Sequence, residues 1–411
     1  MTTPGSIDGR AAWARLCITL AVAAVGNVGM WSIIVILPAV QAEFGIDRAG
    51  AALPYTLTMI GFALGNLVIG RAVDRFGITK GLIGAALLIA ASYILAAISP
   101  TVTMLTIAQA LIGFGTAASF GPLIADISHW FQRRRGIAVA IAASGNYLSG
   151  AIWPLLLSGI LQDSGWRAVY VILAVCMLAL IVPLALMLRA SPPLAASTAR
   201  PGPPGTPVRR INLSPRALQA LLGLAGLGCC VAMSMPQVHI VAYCVDLGYG
   251  PAVGAQMLSV MLMAGVASRL VSGLVADRLG GVVTLLIGST LQALALMLYL
   301  PAGGLVSLYM VSLVFGLSQG GIIPSYALIV REYLPAREAG ARVGFVIMAT
   351  ILGMALGGWL TGLIYDLSGS YRLAFINGIA WNGMNIAIMA LILLRTPNGP
   401  WRRNTSVTTA L

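Results

Sequence analysis

Residues 16–40 run for 25 positions without a charged side chain. A helix needs about 20 apolar residues to cross the hydrocarbon of a bilayer. Eleven further windows of this kind follow, and their repetition constrains the fold more than any motif does. They cover residues 51–69, 81–98, 104–127, 136–161, 169–188, 217–245, 252–275, 282–300, 305–330, 341–365 and 374–394. Lipid offers no partner to a backbone N–H or C=O, so only helices and closed barrels span it. Runs without strict alternation select helices. The expected fold is an all-α membrane protein with twelve transmembrane helices.

Composition agrees with that fold and excludes others. Hydrophobic residues make up 59% of the chain and charged residues only 9%. A soluble surface alone would need about a quarter of its residues charged. The formal net charge is +13, carried by arginines and a single lysine, Lys80. In a soluble protein that excess would suggest nucleic acid; between membrane spans it follows the positive-inside rule, and no nucleic-acid partner is expected. The five cysteines fall in apolar runs with no metal-ligand spacing and read as small packing residues. The polar start of the chain leads straight into a long helix without a small-residue cleavage site, so no removable signal peptide is predicted.

Arginine placement predicts the orientation. Arg10, Arg15, Arg71, Arg75, Lys80, Arg133 to Arg135, Arg278, Arg331, Arg337 and Arg342 fall on one side. Arg48, Arg167 and Arg372 fall on the other. Both termini are therefore expected in the cytoplasm, in a bacterial inner (plasma) membrane. Between the sixth and seventh windows lies "RASPPLAASTARPGPPGTPVRRINLSPR", too rich in Pro and Arg to pack a core. It divides the chain into residues 1–190, a cytoplasmic linker at 191–215, and residues 216–411.

The two parts repeat. "GRAVDRFG" starts at Gly70 and "GLVADRLG" at Gly273, 203 residues apart. The same offset joins Gly45 to Gly248, Gly113 to Gly316, Gly150 to Gly353 and Asp163 to Asp366. Two parallel six-helix halves suit a rocking transporter whose substrate site lies between them near mid-membrane.

"GRAVDRFGITK" (70–80) resembles the signature loop of the major facilitator superfamily, and "GLVADRLGG" (273–281) resembles its second copy. "HWFQRRRG" (129–136) and "GWR" (165–167) are similar to the same superfamily. The resemblance implies the major facilitator fold and assigns a gating role to Gly70, Asp74, Arg75, Gly77, Gly273, Asp277 and Arg278. On physical grounds Gly70 and Gly77 permit close approach and a tight turn. Asp74 can cap a following helix or pair with an arginine. The alternative is that Asp74 and Arg75 only anchor helix ends at the headgroups. "SGNYLSGAIWP" (144–154) faintly resembles an antiporter motif.

Arg269 interrupts the eighth window, roughly 12 Å of helix before Asp277 at about 1.5 Å per residue. An arginine at that depth usually faces a cavity; the alternative is a side chain that snorkels to the headgroups. "SRLVSGLVADR" (268–278) and "VHIVAYCVDLG" (238–248) look like the monocarboxylate transporter family and its oxalate–formate antiporter relatives. That resemblance implies that Arg269 binds a substrate carboxylate. Gly265 stands where animal members carry an acid, and the first window lacks their lysine; Asn27 is the only strongly polar residue in its interior and a further substrate-site candidate. Both departures weigh against the family's proton symport and leave uniport or anion exchange, so the coupling partners to test are a proton and a counter-anion.

Further substrate-site candidates are Asn146 and Tyr147, which can equally bridge helices, and His239, Tyr326 and Gln319. Asp126 is the one acid inside a window, near enough to Arg133 to Arg135 to pair with them in a structural or gating role. Neither a phosphate-binding loop nor a catalytic or metal-ligand cluster is present, so no cofactor, metal or enzymatic activity is expected. The function expected is alternating-access movement of a small organic monocarboxylate. The rivals are an exporter of amphipathic drugs or metabolites, with a broad apolar cavity, and a non-transporting membrane sensor.

Overall fold

A computed structural model describes residues 7–190, 211–301, 303–335 and 338–396. Most of the expected linker, Arg337 and the tail after residue 396 lie outside the described residues. All the regular structure described is helical. In order it comprises α1 (Arg10–Gly26), α2 (Val28–Phe44), α3 (Arg48–Phe76), α4 (Ile78–Ala97), α5 (Val102–Thr116), α6 (Gly121–Ser128) and α7 (Arg135–Cys176). A π-helical turn joins α7 to α8 (Val182–Met187). Then come α9 (Pro215–Asp246), α10 (Pro251–Leu279), α11 (Gly281–Tyr299), α12 (Leu305–Gln319), α13 (Ile322–Tyr333), α14 (Ala339–Ser368) and α15 (Tyr371–Leu394). Local sequence starts several of them: side-chain oxygens of Asp47, Thr101, Ser214 and Ser370 accept first-turn N–H bonds at α3, α5, α9 and α15.

Among the described residues these helices form 11 stretches long and apolar enough to cross a membrane. Large apolar side chains on their outer faces, such as Ile107, Leu156, Val175 and Leu294, are 51–62% exposed, as a lipid-facing surface requires. The windows 136–161 and 169–188 share one stretch of 53 residues, Arg135–Met187. The sequence predicts a loop between them. The chain instead stays helical on both sides of Gly165, where φ 77° and ψ 172° break the helix at one residue. Side-chain-bearing residues rarely adopt that conformation, so glycine replaces a loop here.

Positions 203 residues apart share local geometry. Gly77 (φ 88°, ψ 158°) and Gly280 (φ 83°, ψ 171°) each end a helix and start the next. A Cβ on Gly113 would collide with the Thr58 carbonyl oxygen, and one on Gly316 with the Met261 carbonyl oxygen. Thus α3 against α5 and α10 against α12 pack through the same missing side chain. Gly316→Val should force that contact open, an overpacking worth about 1–3 kcal/mol, and lower the unfolding temperature in detergent. Gly70→Ala is the control, because its Cβ would meet nothing within 4 Å, and it should leave that temperature unchanged.

A buried ion pair fixes the arginine-rich end of the first six windows. Arg15 donates from Nε and Nη2 to the Asp126 carboxylate at 2.7 and 2.9 Å, and from Nη1 and Nη2 to the carbonyls of Ala190 and Leu188. Asp126 thus pairs with Arg15 and not with Arg133 to Arg135, because α1 packs beside α6 while those arginines lie past its end. Asp126→Asn would leave Arg15 buried without a countercharge, a change that costs about 3–5 kcal/mol. A calorimetric or fluorescence melt should show an earlier transition, and an unchanged one would mean the pair is stability-neutral.

Candidate functional site

A cavity of about 670 Å³ lies between α2, α3 and α7 on one side and α9, α13 and α14 on the other. Four methionines (Met30, Met59, Met233, Met354) and the rings of Phe62 and Phe120 dominate its wall. Its few polar side chains are largely committed. Trp31 Nε1 donates to both the backbone oxygen and Oδ1 of Asn146 at 3.1 Å. Thr350 donates to the Ile347 carbonyl at 2.7 Å, and the Gln237 amide donates to the Gln319 side-chain oxygen.

Arg269 sits beside this cavity, on α10, 7% exposed. Its Nε donates to the Gly320 carbonyl at 3.3 Å and its Nη1 to the Ala143 carbonyl on α7 at 2.6 Å. The guanidinium stacks 4.2 Å from the centre of the Tyr147 ring, whose edge lines the cavity. Gly265, one turn earlier, makes this possible. A Cβ there would stand 3.2 Å from two Tyr147 ring carbons and 3.3 Å from Gln319 Nε2. Tyr147 Oη and Gln319 Nε2 are both buried without a hydrogen-bond partner among the described residues. Leaving such groups unsatisfied costs about 1–3 kcal/mol each.

Charge sets Arg269 apart. Among the described residues three arginines are buried: Arg15, Arg48 and Arg269. Arg15 has Asp126 at 2.7 Å and Arg48 has Asp246 at 3.0 Å. All the acidic residues of the chain are described, yet none forms an ion pair with Arg269. Among the described residues it meets the carbonyl dipoles of Gly320 and Ala143 and the Tyr147 ring, and no carboxylate. The site therefore holds an uncompensated cation and two idle polar groups, a set suited to an anion. On its other side Arg269 borders a second cleft, lined also by Gly273, Asp277 and Pro324.

At the opposite end, Arg48 begins α3. The Asp366 carboxylate on α14 accepts from the backbone N–H groups of Arg48 and Ala49 at 2.9 and 2.7 Å. Arg48 Nη1 donates to Tyr371 Oη at 2.8 Å and Nη2 to Asp246 at 3.0 Å. Its guanidinium also lies 4.7 Å from the Tyr365 ring centre. A Cβ on Gly362 would meet the Arg48 and Ala49 backbone at 2.8–2.9 Å, so the two helices touch there.

A family model described as Major Facilitator Superfamily matches residues 19–341. The chain belongs to the major facilitator superfamily. It is 27% identical to monocarboxylate transporter 13 of Bos taurus over 75% of this chain and 72% of that protein. It is 32% identical to human monocarboxylate transporter 11 over 65% of this chain and 58% of that one. A solved structure of a bacterial homolog to the human lysosomal transporter Spinster, inward-facing and occupied, superposes with a TM-score of 0.71. It covers 94% of this chain and 98% of its own at 14% identity, a likeness of fold alone. As a superfamily member the chain is a multi-pass membrane transport protein rather than an enzyme.

The superfamily's loop residues lie apart from the cavity. Gly77 makes the tight turn, but Gly70 and Gly273 make no close approach, since nothing lies within 4 Å of either Cβ position. Asp74 makes no side-chain hydrogen bond or ion pair among the described residues. It lines a cleft of about 1440 Å³ with Lys80, Arg15 and Asp126. Helix α4 starts without a side-chain cap, so Asp74 does not fill that role. Arg75 stacks on Phe76, while Asp277 and Arg278 carry no ion pair among the described residues.

Of the substrate-site candidates, Asn146 and Tyr147 line the cavity, and Arg269 and Gln319 stand directly behind them. Three others point elsewhere. Asn27 bonds the carbonyls of Ala23 and Ser119 at the joint between α1 and α2. His239 lies 3.2 Å from Tyr371 Oη and 2.8 Å from the Gly358 carbonyl, in the Arg48 cluster. Tyr326 donates to Asn385 within α15 at 2.9 Å. His239 and Tyr326 are held by nearer polar groups, and Asn27 is held through Nδ2 while its Oδ1 is buried without a partner among the described residues. Sequence reasoning passed over Trp31, Gln237 and the methionines. Gln237, a buried amide beside Pro236, carried a usable signal; the methionines carried none.

Proposed function

We propose that this protein moves a small organic monocarboxylate across the membrane by alternating access, on the monocarboxylate transporter-like branch of its superfamily. The observation that carries the proposal is Arg269, a buried guanidinium with no carboxylate partner beside two buried polar groups that bond to nothing. A substrate carboxylate supplies the missing charge and can accept from Nη2, Tyr147 Oη and Gln319 Nε2. The names and identities of the two monocarboxylate transporters support the same branch.

The rest of the reading follows from that role. Twelve crossings in two six-helix halves, residues 1–190 and 216–411 around the linker, are supported by the break at Gly165 and by the geometry shared at an offset of 203. The arginine excess supports cytoplasmic termini in a plasma (inner) membrane. The Arg48 cluster would close the outer side, while Asp74 and Asp277, each lining a cleft, and Arg75 and Arg278 beside them in sequence, all without ion pairs among the described residues, would act when the inner side closes. Gly70, Gly77, Gly273 and Asp126 would support that movement. A second reading, an exporter of amphipathic molecules, is favoured by the apolar cavity wall.

Uptake of a panel of labelled monocarboxylates into proteoliposomes tests the proposal. Saturable uptake that an unlabelled acid blocks, and its amide does not, is the expected result. An imposed pH gradient then reads the coupling ion. Equal block by acid and amide would overturn the carboxylate reading in favour of the exporter.

A further inference from the structure

The cavity and the cation differ sharply in chemistry, and one residue joins them. Tyr147 presents a ring edge to the cavity and a ring face to the Arg269 guanidinium. The polar atoms gather at that end. Asn146 is its chain neighbour, and Gln237 reaches it through Gln319. Beyond them the wall is thioether, aromatic and aliphatic, with Met354, Met59, Phe62, Phe120 and Ile351 among its residues. Among the described residues Asn146 Nδ2 and Gln237 Oε1 make no hydrogen bond, while the other end of each amide is bonded.

Resting on the carboxylate reading of Arg269, we propose that the transported acid is amphipathic: a carboxylate at Arg269 and an apolar body in the methionine-lined cavity. Met30, Met59, Met233, Met354, Phe62 and Phe120 give that cavity a predominantly apolar wall against which an apolar body can pack. A three-carbon acid such as lactate or pyruvate would leave most of that wall without contact. A keto or hydroxyl group next to the carboxylate is accommodated by the two free amide atoms. Along the rest of the wall the hydroxyls of Tyr55 and Thr350 are the polar groups, and Thr350 already donates to the Ile347 carbonyl, so a polar group on the body finds few partners and loses affinity. Methionines adapt to differing shapes, so the wall selects for apolar bulk and not for one outline.

Equilibrium binding to the full chain in detergent tests this, read as quenching of Trp31, which lines the cavity, against a Trp31→Phe background. The probes are acetate, lactate, pyruvate, butyrate, hexanoate, octanoate and phenylpropanoate, each beside its amide to correct for entry into micelles. Affinity should rise about fourfold per added methylene until the cavity fills, with phenylpropanoate well above lactate. Met354→Ser should flatten the series. A flat or inverted series, with binding still lost in Arg269→Ala, overturns the amphipathic body and leaves the carboxylate reading standing. Amides that bind as well as acids overturn the carboxylate reading itself.

Discussion

Arg269→Ala is expected to abolish carboxylate uptake while the protein still folds. Truncating one partner of a buried, hydrogen-bonded charge pair costs about 2–5 kcal/mol, roughly a 30-fold to several-thousand-fold loss. The loss should fall on substrate affinity, because the guanidinium faces no internal carboxylate whose burial would then be stranded. Indeed, removing it also removes an uncompensated buried charge, so the unfolding temperature should hold or rise. Arg269→Lys separates charge from shape. An ammonium keeps the charge but cannot span Gly320, Ala143 and a carboxylate with one planar fork. It should retain a small residual activity, about a tenth or less of the native rate. Initial-rate uptake over a range of acid concentrations, alongside the melting curve of each variant, makes the distinction. Native-like uptake by the alanine variant would reduce Arg269 to a packing residue.

The second large effect is expected at Arg48. This one side chain binds Asp246 and Tyr371, while its backbone N–H and that of Ala49 bond Asp366. Every partner belongs to α9, α14 or the start of α15, so the cluster joins the two sets of helices around the cavity. Arg48→Ala would leave the Asp366 contacts, and the Tyr371 hydroxyl would keep His239, but Asp246 would lose its countercharge. A buried pair broken on one side is worth about 3–5 kcal/mol where burial is complete. With the Asp246 side chain 27% exposed, about half of that is expected. That still shifts a two-state balance by at least tenfold toward the form open at this end. Spin labels at Ile46→Cys and Ser368→Cys, in a background without the native cysteines, would report it as a longer distance component. Transport should slow in parallel, since one of the two states is then underpopulated. An unchanged distance distribution would show that the cluster is ornament to the packing of α3 on α14.

Both sites differ in how they could be found. Arg269 announces itself, because a charge in an apolar run is costly and needs a reason. Arg48 sits at the edge of a window, where arginines are ordinary, and only its partners mark it. His239 and Tyr326 look as functional as Asn146 in the sequence. In the structure they face Tyr371 and Asn385, and Asn146 faces the cavity. Apolar residues surround most of these helices on every side, so the sequence holds no amphipathic stripe to say which face turns inward.

The sequence by itself determined the membrane setting, the approximate spans, the repeat and the place of one intramembrane cation. The physical reason is that bilayer thickness and backbone hydrogen bonding act on contiguous residues, and a chain of letters records contiguity. Only the tertiary structure decided that Gly265 makes room for Tyr147 and Gln319 beside Arg269, that Arg15 takes Asp126, and that Arg48 takes Asp246. The two ion pairs join residues 111 and 198 positions apart. Their meeting depends on helix rotation and on how the helices close around the cavity, and close-packed contacts far apart in the chain set both.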